Sequence, residues 1–164
     1  MMYDTLQEQK ENLLVEIHKL HQRHELAGAV GEDYFEPGMM EYLEQSEGIF
    51  DETNGELLLR FEVKGTRYEG RTEQIEKVQT EDPIRIERDR ENPYNSNNFV
   101  ILTAKGKNLG NMPAQLCNVI APLFDDGNLT FVQSEVSFVE PISKRSRHAK
   151  QAILFAQLRM KLTI

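Results

Sequence analysis

The sequence predicts a mainly β protein of the α+β kind, with about six short strands that close into a small barrel or sandwich behind an N-terminal helical segment. Three observations lead there. Apolar and polar residues alternate with period two in several short stretches, most clearly Leu57, Leu59, Phe61, Val63 and Leu154, Ala156, Leu158, Met160, Leu162. Turn formers punctuate these stretches at Asn54-Gly55, Asn92-Pro93-Tyr94-Asn95 and Lys105-Gly106-Lys107-Asn108. Helical spacing is confined to the N-terminal third and to Pro113–Asp125.

The chain has 164 residues, 39% hydrophobic, enough for one domain with an appendage. Its net charge of −8 is unevenly spread. Residues 1–56 carry three basic against 14 acidic residues, whereas 57–164 carry 16 basic and 13 acidic. The composition shift divides the chain into an acidic helical segment, 1–54, and a β domain, 55–164. A uniformly acidic domain would repel phosphates; this C-terminal part is not one, so nucleic acid stays open as a partner. No run approaches the length of a membrane span, no signal-peptide pattern opens the chain, and the single Cys117 can form no internal disulfide. A cytoplasmic protein without membrane attachment is expected.

In chain order, Met2–Leu26 is read as a helix with Leu6, Leu13, Ile17 and Leu20 on one stripe. That stripe must be buried, on the domain, on a second helix or on a second copy. His18, His21 and His24 fall on the same helix but read as a solvated flank rather than a metal site. Gly28 and Gly31 break it, and Tyr34–Ile49 reads as a shorter, very acidic helix. Leu57–Val63 is a strand with one buried face, followed by an exposed loop, Thr66–Arg71; Thr72–Asp82 carries no recognisable chemistry. Ile84 and Ile86 alternate with Arg85 and Glu87 in the next strand. Phe99–Leu102 is a continuous apolar run, expected to be covered on both faces. A hairpin about Gly106 and a short strand lead to a helix that starts at Pro113. Leu116, Val119, Ile120 and Leu123 form its apolar face, Pro122 should kink or end it, and Asp125-Asp126-Gly127 is its stop. Cys117 reads as a small core residue. Leu129–Val139 is a strand with a bulge near Gln133, where the alternation changes phase, and a basic loop, Lys144–Lys150, precedes the last strand.

Arg67-Tyr68, then Arg88-Asp89-Arg90-Glu91-Asn92-Pro93-Tyr94-Asn95-Ser96-Asn97-Asn98-Phe99-Val100-Ile101, then Leu109-Gly110-Asn111-Met112-Pro113, together resemble the HIRAN domain signature, with a motif core over 57–140. That family is known from DNA-repair helicase-like translocases and from small stand-alone bacterial proteins. The resemblance implies a six-stranded OB-like or SH3-like barrel with an inserted helix. It also implies binding of single-stranded DNA at its free 3′ end, in DNA repair or processing. Carried onto this chain, it assigns stacking to Tyr68 and Tyr94, phosphate contacts to Arg67, Arg71 and Arg88, end contacts to Asn92 and Asn95, and packing on the terminal base to Phe138. Four positions depart from the signature. Asn95, a weaker acceptor for a hydroxyl, stands where the family has Asp, and Glu69 replaces a second tyrosine; Asn98 enlarges a usually small residue, and Gly110-Asn111 replaces Gly-Tyr at the helix start.

No P-loop, G-x-S-x-G, HExxH or Cys-His nucleophile pair is present, so a non-enzymatic module without cofactor or metal is expected. The competing reading is a protein-interaction or assembly module, docking through the N-terminal helix and the acidic stretch 32–56. Salt separates the two, because phosphate contacts weaken steeply with ionic strength and apolar helix packing does not.

Overall fold

A computed structural model describes residues 8, 12, 13, 50, 51, 56–68 and 70–163. Among them, seven strands form two antiparallel sheets. The strands are β1 (Phe50–Asp51), β2 (Glu56–Glu62), β3 (Ile84–Arg88), β4 (Phe99–Thr103), β5 (Asn108–Asn111), β6 (Leu129–Glu140) and β7 (Ile153–Leu162). One sheet runs β1-β2-β7-β6 and the other β3-β4-β5. All six expected strands are present, and β1 is added, with Phe50 opposite Leu57.

The expected closed six-stranded barrel is corrected to two sheets that meet at single bridges. Lys64 pairs with Asn111 at one seam, exchanging N–H···O bonds of 2.8 and 2.9 Å. Pro83 pairs with Glu135 at the other. Neither ladder can extend. At the first seam Gly65 turns the backbone out of the strand at φ +69°. At the second, the Asp82 N–H that would continue the ladder to Val136 bonds the Gln79 carbonyl at 3.1 Å instead, and Glu81, at φ +77°, takes its place on the Val136 carbonyl at 2.8 Å. The first seam is also tight: a Cβ on Gly110, whose φ is +150°, would lie 2.5 Å from the Lys64 carbonyl oxygen.

The alternation of β2 is borne out, with Leu57, Leu59 and Phe61 buried, and these pack in one core with Ile84, Ile86, Ile101, Leu154, Ala156, Leu158 and Met160. In β4 only Phe99 and Ile101 are buried, so one face is covered rather than two. The strand β6 changes register twice, between Phe131 and Gln133 as expected and again between Val136 and Phe138. A one-turn helix, α1 (Arg71–Ile75), closes the loop after β2 and sinks Ile75 into the core. Its five residues were not legible as a helix.

The long helix α2 (Ala114–Asp125) lies between β5 and β6 and buries Leu116, Cys117, Ile120 and Leu123. It runs three residues past Pro122 without ending there, because a proline in the last turn forfeits one backbone bond and no more. The stop is a Schellman cap: Asn128 N–H bonds the Leu123 carbonyl at 2.9 Å, Gly127 N–H bonds the Phe124 carbonyl at 3.1 Å, and Gly127 takes φ +79°. Phe124 joins Phe99 and Phe131 in a triangle of rings with centroids 4.9–5.3 Å apart.

Of the N-terminal segment, residues 8, 12 and 13 are helical, and Leu13 is fully buried in the core cluster. The rest of the two expected helices, the three histidines and Glu69 lie outside the described residues. No helix among the described residues is long and apolar enough to cross a membrane.

Candidate nucleic-acid interface

The Asn92-Pro93-Tyr94-Asn95 turn is built by its own side chains. The Asn92 side-chain oxygen accepts the backbone N–H groups of Tyr94 and Asn95 at 2.9 and 3.0 Å, and the Asn95 side-chain oxygen accepts the N–H of Asn97 at 3.0 Å. Each asparagine thus replaces a backbone partner that a loop lacks. The turn is then fastened to the domain at two points. Asn95 and Asn97 donate to the Asn118 side-chain oxygen on α2 at 3.0 and 3.3 Å. Asn92 donates to Asp89 at 3.2 Å, and the same carboxylate oxygen accepts from Asn98 at 3.1 Å.

Asn98 is buried and its amide also donates to the Asn111 side-chain oxygen at 3.0 Å. The network therefore runs from the turn through Asp89 and Asn98 to Asn111, the residue that bridges Lys64. Its effect is to hold Tyr94 outward: the ring is 95% exposed, on a loop whose backbone is fixed. An exposed aromatic on a rigid platform is a stacking surface whose ordering cost has been met in folding.

Beside Tyr94 lies an open groove of about 630 Å³, lined by Lys64, Asn92, Asn95, Asn98, Asn111 and the start of α2 at Pro113–Gln115. Pro113 offers no side-chain cap to that helix. The first N–H groups of a helix have no intrahelical acceptor, so this end presents donors and positive potential to the groove. Lys64 adds an ammonium group, 3.1 Å from Glu62.

The loop after β2 borders the same seam. Arg71 donates to the Gly65 carbonyl at 2.9 Å, and a Cβ on Gly65 would contact Arg71, Asn111 and the Tyr68 ring. Tyr68 is half exposed; the Arg67 guanidinium sits 4.9 Å over its ring and bonds its hydroxyl at 2.6 Å.

The family model of the HIRAN domain matches residues 57–154. The chain belongs to the HIRAN domain family. Solved structures similar to it include the crystal structure of the HIRAN domain of human HLTF, 21% identical over 65% of this chain and 81% of that one, with a TM-score of 0.46. A protein from Lactobacillus plantarum is 16% identical over 64% and 98%, TM-score 0.47. The HLTF HIRAN domain in its DNA-bound conformation is 19% identical over 64% and 75%, TM-score 0.44. No curated protein matches the chain.

Within this HIRAN domain the structure sorts the expected site residues. Tyr94, Asn95 and Asn92 line the groove, and Tyr68 with Arg67 flanks its seam. Asn92 offers no oxygen lone pair to a ligand, since two backbone N–H groups fill it; it is a scaffold of the turn. Arg71 is buried against Gly65 rather than exposed in a loop. Arg88 is enclosed too. It makes a two-point contact with Asp125, donates to the carbonyls of Ser96 and Asn98 at 3.0 Å, and lies 5.2 Å over the Phe99 ring. Four of its five donors are therefore used. Phe138 is half-buried on β6, edge-on to Phe155 at 6.2 Å, and does not line the groove.

Sequence reasoning missed Lys64, Asp89, Asn98, Asn111 and Asn118. The density of asparagine around Tyr94 was the available signal. Asp125, read as a simple helix stop, is the anchor of two arginines; the Arg88 and Arg90 guanidiniums hold its carboxyl below the usual carboxylate range.

Proposed function

We propose that this HIRAN domain is a non-enzymatic nucleic-acid-binding module that takes single-stranded DNA at its 3′ end. The binding domain comprises residues 55–164, behind the acidic helical segment 1–54. The observation that carries the reading is the exposure of Tyr94 on a loop whose polar side chains are spent on holding it. Nothing in the packing of the domain needs that ring to point outward. Base stacking gives it a use, and stacking is tolerant of sequence because every base has a π-face.

A terminal nucleotide fits the groove chemically. The base stacks on Tyr94. Its phosphate meets Lys64 and the N–H groups at the start of α2. Its 3′-hydroxyl faces Asn95, whose side-chain oxygen keeps one lone pair after accepting from Asn97. Tyr68, backed by Arg67, offers a second stacking surface for the preceding base.

Binding of a labelled single-stranded oligonucleotide to the full chain, followed by fluorescence anisotropy, tests this. Replacing Tyr94 by Ala should weaken binding by about tenfold or more, given what one base–aromatic stack contributes. An unchanged affinity would remove the observation on which the reading rests. Leu13, one residue of the expected stripe, is buried in the domain's own core, which weighs against a partner taking that residue.

A further inference from the structure

We infer that the β6–β7 loop, through Lys144, Arg147 and Lys150, is a second, backbone-binding element that carries the DNA strand away from the Tyr94 groove. This deepens the proposed function and rests on it.

Three features lead to the inference. The chain from Pro141 to Ile164 holds six Lys and Arg residues and no Asp or Glu, so the charge of this loop is single-signed. Lys144, Arg147 and Lys150 are exposed and form no ion pair among the described residues. The fourth loop cation, Arg145, is spent on structure: it pairs with Glu140 at 3.5 Å and donates to the Gln151 carbonyl at 2.7 Å.

The fold puts this loop beside Tyr68 although the two are distant in sequence. Thr66 donates its hydroxyl to the Ala152 carbonyl at 3.3 Å. Tyr68 and Lys150 each stand two residues from that bond, a span of no more than ~7 Å of chain apiece. The loop is also pinned from the other side, where Ser143 donates both its N–H and its hydroxyl to the Glu76 carboxylate just after α1. Glu76 and Glu140 are thus each engaged by a loop residue.

A groove, a stacking pair with a cation and a pinned run of unpaired cations follow one another around the seam. That order suits a strand whose last base sits at Tyr94, whose preceding base passes Tyr68 and Arg67, and whose earlier phosphates reach the β6–β7 loop. Stacking near the end with an electrostatic track behind it is how unspecific single-strand sites are built.

The test compares two 3′-hydroxyl oligothymidines, a trinucleotide and one of about twelve nucleotides, the latter within the span of a single site of this kind. The full chain is compared with Lys144→Ala/Arg147→Ala/Lys150→Ala and with Tyr94→Ala. The triple variant should lose about tenfold for the longer strand and nothing for the trinucleotide. Its slope of log affinity against log salt should flatten by about 2, the share of three phosphates on a single strand. Tyr94→Ala should weaken both. An unaltered long-strand affinity or salt slope in the triple variant, with Tyr94→Ala still defective, overturns the track and leaves the groove. An equal loss at both lengths also overturns it. Absence of binding by the wild-type chain at either length overturns groove and track together.

Discussion

Arg88 and Asp125 meet in a two-point clamp across 37 positions of chain, Nε to Oδ1 at 2.9 Å and Nη2 to Oδ2 at 3.0 Å. It joins the end of β3 to the end of α2. A carboxylate at a helix C-terminus opposes the helix dipole. Here two arginines offset that penalty, since Arg90 reaches the same two oxygens at 2.7 and 2.9 Å. Arg88 simultaneously holds the carbonyls of Ser96 and Asn98, so the clamp also fixes the far limb of the Tyr94 turn. Fold and site are coupled through one guanidinium.

Arg88→Ala should therefore destabilise the protein by about 3 kcal/mol, since it removes four hydrogen bonds made by one guanidinium, two of them to a carboxylate. Asp125→Ala should cost less, about 2 kcal/mol, because Arg88 keeps its carbonyl and ring partners and Arg90 returns to solvent. Urea unfolding measures both. A double-mutant cycle should show strong coupling, and additive losses would mean that the clamp is not acting as a pair.

The same clamp sets an acid limb. The folded-state pKa of Asp125 lies below its ordinary 3.8, chiefly because Arg88 bonds the ionised form. Its stabilisation is complete above the unfolded value and is lost as pH falls through the lower folded one. Urea midpoints of wild type should drop more between pH 5 and 3 than those of Asp125→Asn. Parallel curves would contradict this.

Cys117 predicts the opposite limb. Burial pushes its thiol up to about 11 from 9.0. At pH 8 the native protein should resist iodoacetamide and the unfolded protein should react readily. Rapid native alkylation would show that the α2 face opens. Above pH 9 the unfolded thiol ionises first, so this residue's contribution fades between pH 9 and 11.

Gly110 tests the seam. Any Cβ there meets the Lys64 carbonyl oxygen and the Val63 side chain, so Gly110→Ala should part the Lys64–Asn111 bridge and destabilise by about 2 kcal/mol, in the range of overpacking. Because Lys64 and Asn111 line the groove, the amide protons of both should exchange faster in the variant. A neutral substitution would show that the two sheets do not need this contact.

Much of the fold was legible because it depends on periodicity. The alternation in β2 and β7, the phase change near Gln133 and the Gly127 stop are local patterns, and the structure keeps them. The seams were not legible, because they depend on Lys64 and Pro83 meeting Asn111 and Glu135, far along the chain. The site divides in the same way. The exposure of Tyr94 follows from a local turn, whereas the enclosure of Arg88 and Arg71 depends on Asp125 and the Gly65 carbonyl, which only the folded chain places. The arginines nearest the motif read locally as ligand contacts, whereas Lys64 comes to the groove only through its pairing with Asn111.

The proposed function turns on recognition of a DNA end by the Tyr94 groove. The most direct measurement is the anisotropy of one short single-stranded DNA carrying either a free 3′-hydroxyl or a 3′-phosphate, titrated with the full chain at low and moderate salt. Tighter binding to the free hydroxyl is expected at both salts, with the preference lost in Asn95→Ala and the affinity lost in Tyr94→Ala. Equal affinity for the two ends, or a preference that survives Asn95→Ala, would contradict it.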